Sequence, residues 1–232
     1  MMIAVIPARA GSKRIPQKNI KLFCGKPIIA YSIEAALASG LFDEVIVSTD
    51  SHEIAEVAKD YGASIPFFRP ENLADDFSTT GQVMAHTVDW FQRNKDKLDS
   101  ACCIYATAPM IMKSDLVGAC EVFRFGGWDF VFSATKFLYP IQRGFKKTES
   151  NGLVMFNPEH FNTRSQDLTQ AYHDAGQFYF GTPDAWIDNS PLFCEKSTIY
   201  ELPFWRTHDI DTPEDWKMAE ILYKIKGQTD EL

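Results

Sequence analysis

The sequence predicts an α/β protein built on a doubly wound, mostly parallel sheet, with a hairpin-containing segment inserted late in the chain. Three observations carry that expectation. Residues 2–6 are a continuous apolar run with β-branched members, the mark of a strand buried on both faces. Strand-like runs and segments of helical period then alternate four times. Over residues 137–172 the alternation stops, and polar clusters with an Asn151-Gly152 turn signal replace any helical stripe.

Pro7 ends the first strand, and residues 8–26, rich in Gly, Pro and charge, read as one long loop. Long loops in compact domains are usually functional. Pro27 suits the first turn of a helix whose apolar positions Ile28, Ile29, Ile33, Ala36 and Leu37 keep helical period. Residues 45–47 are the next strand, and Asp50 with Glu53 resembles a capping box that opens a helix through Ala58. A short strand at 64–68, a helix over 79–91, a strand at 101–105, a helix over 113–125 and a strand at 130–133 complete the alternation. Residues 177–180 and 197–202 return as strands, with Phe178, Tyr179 and Phe180 suited to a core rather than to a stacking platform. Thr212-Pro213-Glu214-Asp215 opens the last helix with a cap, a proline and two acids near the positive end of the dipole. Residues 227–232 read as a frayed tail. The whole chain, 1–232, is expected to be one domain with 137–172 inserted into it.

Composition narrows the function. A chain of 232 residues with 45% hydrophobic and 13% aromatic residues is not disordered. The longest run free of Asp, Glu, Lys and Arg is 100–112, too short to span a bilayer, and the first ten residues lack the features of a signal peptide. Cys102 and Cys103, as neighbours in a strand, point to opposite faces and make neither a CxxC motif nor a metal pair. A soluble, reduced, cytoplasmic protein without a membrane partner is expected. The net charge of -8 argues against nucleic acid as a partner. Its distribution says more. Residues 1–33 hold six basic residues (Arg9, Lys13, Arg14, Lys18, Lys21, Lys26) and no acid, while the rest of the chain holds the other 17 basic residues and all 31 acidic ones. Such a block is either a solvated loop or a site for a compact polyanion such as a nucleoside triphosphate.

Ligands in open parallel sheets sit beyond the carboxyl ends of the strands, where the loop Pro7-Ala8-Arg9-Ala10-Gly11-Ser12-Lys13-Arg14 begins. Gly11 lets the backbone approach a ligand, consecutive N–H groups can form an anion nest, Arg9 offers a planar fork and Lys18 a point charge. The loop fits neither GxGxxG nor the GxxxxGK[ST] spacing of a P-loop. Near the other terminus, Asp209-Ile210-Asp211 precedes the last helix. At the end of a strand the two carboxylates would share a face and could hold Mg²⁺ with substrate phosphates; otherwise Asp211 merely leads into the helix and Asp209 is exposed. His173-Asp174 and the lone His52, His86 and His160 read as structural, and no G-x-S-x-G elbow supports a hydrolase.

The opening motif, together with Lys18-Asn19, Gly25-Lys26-Pro27-Ile28, Val47-Ser48-Thr49-Asp50, Arg69-Pro70 and Asp209-Ile210-Asp211-Thr212-Pro213, resembles the family of cytidylyltransferases that couple CTP to nine-carbon, sialic-acid-like sugars. The resemblance spans nearly the whole chain. It implies a Rossmann-like, GT-A nucleotidyltransferase fold, Mg²⁺ as cofactor, and a homodimer in which the inserted dimerisation subdomain completes the neighbouring site. It also implies transfer of CMP from CTP to the anomeric hydroxyl of a nonulosonic acid with release of pyrophosphate, a precursor step for glycan or flagellin glycosylation. Carried over by position, Arg9, Ala10, Gly11, Ser12 and Lys18 resemble the triphosphate cradle. Asn19 and Arg69 resemble nucleoside contacts, with Thr79 or Thr80 as the small hydroxyl. Asp209 and Asp211 resemble the metal carboxylates, and Arg9, Lys18 and Asp211 the catalytic set. Tyr105, Gln142, Arg164, Gln166 and Gln177 are the residues expected to meet the sugar. Tyr105 stands where sialic acid enzymes carry Gln, and Ala175-Gly176 where they carry Asn-Gly. With Pro140-Ile141-Gln142-Arg143, these departures point to the pseudaminic acid branch rather than to N-acetylneuraminate or legionaminate. An eight-carbon sugar acid and a non-catalytic nucleotide-binding module are the competing readings.

Overall fold

A computed structural model of the chain describes residues 1–95 and 97–229. Its elements are β1 (Met2–Pro7), β2 (Leu22–Phe23), β3 (Lys26–Pro27), α1 (Ile28–Ser39), β4 (Glu44–Ser48), α2 (His52–Asp60), α3 (Thr80–Asn94), β5 (Ser100–Ile104), α4 (Lys113–Gly126), β6 (Phe130–Lys136), β7 (Phe145–Lys147), β8 (Leu153–Met155), β9 (Tyr172–Gly181), α5 (Pro183–Ile187), β10 (Ser197–Glu201) and α6 (Pro213–Thr229). Six strands form the central sheet in the order β10-β6-β9-β5-β1-β4. All neighbours are parallel except β9, which runs antiparallel to both β5 and β6. This is the doubly wound, mostly parallel sheet that the alternation of strand and helix predicts.

The continuous apolar runs exist because each strand feeds two cores. Ala4, Ile6, Cys102, Phe178 and Phe180 pack with Ile29, Ile33 and Leu116 on one face of the sheet. Ile3, Val5, Cys103 and Tyr179 pack with Val88, Phe91 and Trp186 on the other. The adjacent cysteines therefore lie in different cores, and all five cysteines are free. A third, smaller cluster joins Ile15, Phe23, Ile28 and Tyr31 to Ile210, Trp216 and Ala219 of the distant carboxyl-terminal segment.

Local chemistry departs from the sequence expectations in five places. The stretch 8–26 is not one loop: Cys24 (φ 45°) and Gly25 (φ 101°) both adopt left-handed backbone and turn β2 into β3. Two positive φ values in succession define the tight hairpin turn. Pro27 sits at the cap before α1 rather than in its first turn. The carboxylate of Asp50 accepts a hydrogen bond from the Ala10 amide at 2.9 Å, so Ser51 is left to cap α2. Residues 64–68 pair with β4 only through a single bridge at Ser64, because Pro66 has no N–H to extend the ladder. Finally, α6 continues to Thr229, through part of the expected frayed tail, and the rest of that tail lies outside the described residues. The insertion does contain its hairpin, β7 to β8, with Asn151 left-handed (φ 63°) in the turn.

Candidate active site

The carboxyl ends of β1 and β5 open onto a cavity of about 530 Å³, lined by Pro7 and Tyr105 from those ends and by the loop that follows β1. Its floor is built from two buried polar side chains. The Arg69 guanidinium donates from Nε to Ser48 Oγ at 3.2 Å and from Nη2 to the Ser48 carbonyl, and Asn19 Nδ2 donates to the Arg9 carbonyl at 3.0 Å. Burial pulls the Arg69 pKa down to about 10, so the group remains a cation at neutral pH.

Four of the six cations that the sequence singles out, Arg9, Lys13, Arg14 and Lys18, gather here in two ion clusters. Arg9 Nη1 reaches Asp76 Oδ1 at 2.7 Å, and Lys13 pairs with the other oxygen of the same carboxylate. Arg14 Nη2 lies 3.0 Å from one oxygen of Asp211, and Lys18 Nζ lies 3.3 Å from the other. Lys18 also donates to the Ile210 carbonyl at 2.8 Å, which brings the two ends of the chain together across 192 residues of sequence. A Cβ at Gly11 would sit 3.8 Å from Arg9 Nη1, in space that an anion on Arg9 needs.

The ion pairs do not themselves hold the ends together. Arg14 is 66% exposed and Asp211 39%, and such exposed pairs contribute about 0–1 kcal/mol. Ile15 and Ile210, by contrast, are 1% and 0% exposed in one cluster, and burying a side chain of that size contributes roughly 1.5–3 kcal/mol. Apolar burial therefore sets the position of Asp211. The Asp209-Ile210-Asp211 segment is irregular rather than the end of a strand, yet Ile210 turns inward while Asp209 is exposed and Asp211 is half-buried at the cavity wall. The capping box between Thr212 and Asp215 fixes the far side, with the Asp211 amide donating to Asp215 Oδ2 at 3.1 Å.

Opposite the cations the wall is less polar. Tyr105, Thr80, Val83 and Ala106 line it, with Thr80 Oγ1 3.4 Å from the Tyr105 hydroxyl. Burial raises the Tyr105 pKa, which keeps the phenol protonated. Behind it the Tyr179 hydroxyl donates to Asp174 Oδ2 at 2.7 Å. Of the two adjacent threonines, Thr79 is occupied as the cap of α3 in a reciprocal pair with Gln82, and Thr80 faces the cavity.

Arg9, Ser12, Lys18, Asn19, Arg69, Thr80, Tyr105 and Asp211 thus line one space. Among the described residues, Ala10, Gly11, Thr79 and Asp209 are not part of the lining itself. Nor are Gln142, Arg164, Gln166 and Gln177. Gln142 Nε2 donates to the Thr169 carbonyl and Arg164 pairs with Asp167, both in the inserted segment, where Gln166 belongs to a separate surface hollow. Gln177 is buried and donates to the Arg206 carbonyl at 2.5 Å. Sequence reasoning missed Lys13, Arg14, Asp76, Ser78 and Thr107 as lining residues. One signal for Asp76 was present, because a block of six cations without an acid requires counter-ions from elsewhere in the chain.

Among the described residues no three His, Cys, Asp or Glu side chains cluster as a metal site. Asp211 supplies one hard carboxylate at the cavity wall, and Asp209 lies exposed beside it, outside the lining. One or two carboxylates completed by water and phosphate oxygens are a donor set that fits Mg²⁺.

A doubly wound sheet with a cation-lined cavity at its carboxyl edge is the architecture of an α/β domain that binds an anionic ligand. The model of the family described as cytidylyltransferase matches residues 3–224. The chain is 49% identical over 227 residues, 98% of each chain, to the pseudaminic acid cytidylyltransferase of Campylobacter jejuni subsp. jejuni. It is 36% identical, again over 98% of each chain, to the CMP-N,N'-diacetyllegionaminic acid synthase of Legionella pneumophila subsp. pneumophila. Its fold matches that of a CMP:2-keto-3-deoxy-manno-octonic acid synthetase solved with CTP, at a TM-score of 0.67 and 17% identity, covering 97% of this chain and 99% of the other. The chain belongs to the cytidylyltransferase family.

Proposed function

We propose that this chain transfers CMP from CTP to the anomeric hydroxyl of a nonulosonic acid, pseudaminic acid, and releases pyrophosphate. The observation that carries the reading is the convergence of Arg9, Lys18 and Asp211 on one cavity wall, from opposite ends of the sequence. Identity of 49% over 98% of the chain to a pseudaminic acid cytidylyltransferase, against 36% to the legionaminic acid enzyme, favours that sugar.

In this reading Arg9, Ser12, Lys18 and the backbone of Gly11 hold the phosphates, the Ala10 amide being taken by Asp50, while the buried Asn19 and Arg69 take the nucleoside. The sugar hydroxyl oxygen forms a new bond to the α-phosphorus, the bond from that phosphorus to the β-phosphate oxygen breaks, and the hydroxyl proton passes to Asp211 or to a water beside it. Arg9 and Lys18 neutralise the charge that grows on pyrophosphate as it leaves, so the protein's work is positioning and electrostatics. Asp209 and Asp211 would hold Mg²⁺, which when bound lowers the charge of the phosphates and eases ionisation of the attacking hydroxyl.

The inserted segment 137–172 supports a homodimer in this reading. It exposes Leu138 (63%), Tyr139 (82%), Phe145 (62%), Phe156 (63%) and Phe161 (68%), a concentration of large apolar side chains of the kind that marks interaction surfaces. A partner seated there would bring Arg164 and Gln166 to its own copy of the cavity. No helix among the described residues is long and apolar enough to cross a membrane, and five free cysteines suit a reducing, cytoplasmic setting.

The test is pyrophosphate release from CTP with pseudaminic acid, N,N'-diacetyllegionaminic acid, N-acetylneuraminic acid and an eight-carbon sugar acid as acceptors. Pseudaminic acid should give the highest kcat/KM. Release with none of the four would leave a nucleotide-binding module and overturn the reading. Tyr105→Gln should shift the preference between sugars by roughly 10-fold or more, the scale of a changed pocket contact. The same variant should leave CTP affinity within about twofold, since Tyr105 is assigned to the sugar and Gln can keep a polar contact to Thr80; a large loss of CTP binding would mean that the wall has been assigned to the wrong substrate.

A further inference from the structure

Building on Arg9 as a phosphate ligand, we infer that Asp76 is an exchangeable counter-ion that sets the site's selectivity for polyphosphate and helps expel pyrophosphate after the reaction. One carboxylate takes both cations of the amino-terminal cluster, Arg9 at 2.7 Å and Lys13 on the other oxygen. Asp76 itself lines the cavity, so a phosphate that engages Arg9 Nη1 and Lys13 competes with it for them.

Two features make that exchange easy. The three side chains are partly exposed, 35% for Arg9, 79% for Lys13 and 38% for Asp76, so water is at hand to re-solvate whichever group is released. The loop that carries Asp76 is also largely self-contained. Asp75 Oδ1 accepts from the Phe77 and Ser78 amides and the Ser78 hydroxyl, the neighbouring Phe77 is 88% exposed, and Arg9 holds the Asp75 carbonyl at 2.9 Å. Arg9 is thus one of the few ties between this loop and the cavity, and losing it frees the carboxylate to move aside. The Arg206–Asp115 pair in the same protein is the contrast: 8% and 6% exposed and bidentate at 2.5 and 2.9 Å, it is a fixed brace, since leaving one buried charge unpaired is strongly destabilising.

The chemical consequence is a discrimination by charge. Hydrogen bonds from Lys13 and then Arg9 hold the Asp76 carboxyl below the usual carboxylate range, so it is an anion whenever the site is empty at neutral pH. A triphosphate or pyrophosphate, with several charges, can outcompete it. The single phosphate of CMP, with fewer charges, competes with it less. Once the α–β bond is broken, Asp76 can return to Arg9 and Lys13 as pyrophosphate leaves.

Calorimetric titration of wild type and Asp76→Asn with pyrophosphate, CTP and CMP, without divalent cation, tests this. Asparagine keeps the size and removes the competing charge. Pyrophosphate and CTP should each bind about tenfold more tightly, CMP within about twofold of wild type, and pyrophosphate should become a stronger product inhibitor. Unchanged or weaker pyrophosphate binding overturns the inference, as does an equal gain for CMP, which would mean a general change of field. Asp76→Ala, with an unchanged melting temperature, guards against a local rearrangement specific to Asn. The titrations need no turnover, so a wild type that binds pyrophosphate but transfers nothing to any sugar would sink the enzymatic reading and the expulsion step, and leave the charge selectivity of the site standing; only the inhibition measurement depends on the reaction.

Discussion

Asp211→Ala is expected to reduce turnover below about one-thousandth of wild type, the scale on which a charge-stabilising group of an active site acts. The carboxylate is the one acid of the 209–211 segment at the cavity wall, and it faces Arg14 and Lys18 together. Removing it leaves both cations without their counter-ion. CTP binding measured without divalent cation should therefore hold or tighten even as turnover collapses. That opposition of signs is the diagnostic result, because a merely unfolded variant would lose both. Ile210 keeps the segment in the third apolar cluster and the Thr212–Asp215 box is untouched, so the melting temperature should change little. Substantial turnover by Asp211→Ala with Mg²⁺ present would remove the residue from the mechanism.

Arg9→Ala is expected to cost roughly 2.7–4 kcal/mol in kcat/KM, about a hundred- to a thousandfold, by analogy with deleting one preorganised donor to a charge that develops in the transition state. Arg9 meets that description because its backbone carbonyl is held by the buried Asn19 and its guanidinium is already aimed into the cavity. The loss should fall on both kcat and the affinity for CTP. Lys cannot reproduce the planar fork, so Arg9→Lys should recover only part of it. Steady-state kinetics with CTP varied at saturating sugar separates the two components, and a change below about threefold would contradict the assignment, since the scale expected of such a donor is far larger.

The match between sequence and structure is closest where the signal is local or strictly periodic. The inner strands of the central sheet could be read because they bury both faces, which forces continuous apolar runs such as residues 2–6, and because neighbours such as Cys102 and Cys103 must then enter different cores. The last helix announces itself by Thr212, Pro213 and Asp215, whose hydrogen bonds are completed within four residues. Where one local cue competes with a distant partner, the sequence misleads. Asp50 looks like a helix cap but spends its carboxylate on the Ala10 amide, 40 residues away. The β2–β3 hairpin is hidden because Cys24 does not advertise the positive φ that it adopts.

By itself the sequence determined the sheet, its two faces, the cationic loop after the first strand and the pair of acids before the last helix, because burial patterns and caps are written in residues close together in the chain. Only the tertiary structure decided that the loop meets Asp211 and leaves Asp209 outside the cavity, that Thr80 rather than Thr79 faces the cavity, and that Asp76 stands between Arg9 and Lys13. The reason is the side chains of Ile15 and Ile210, which leave water in one cluster and carry their charged neighbours with them. Contacts of that kind join residues nearly 200 positions apart, and no spacing within either segment encodes them.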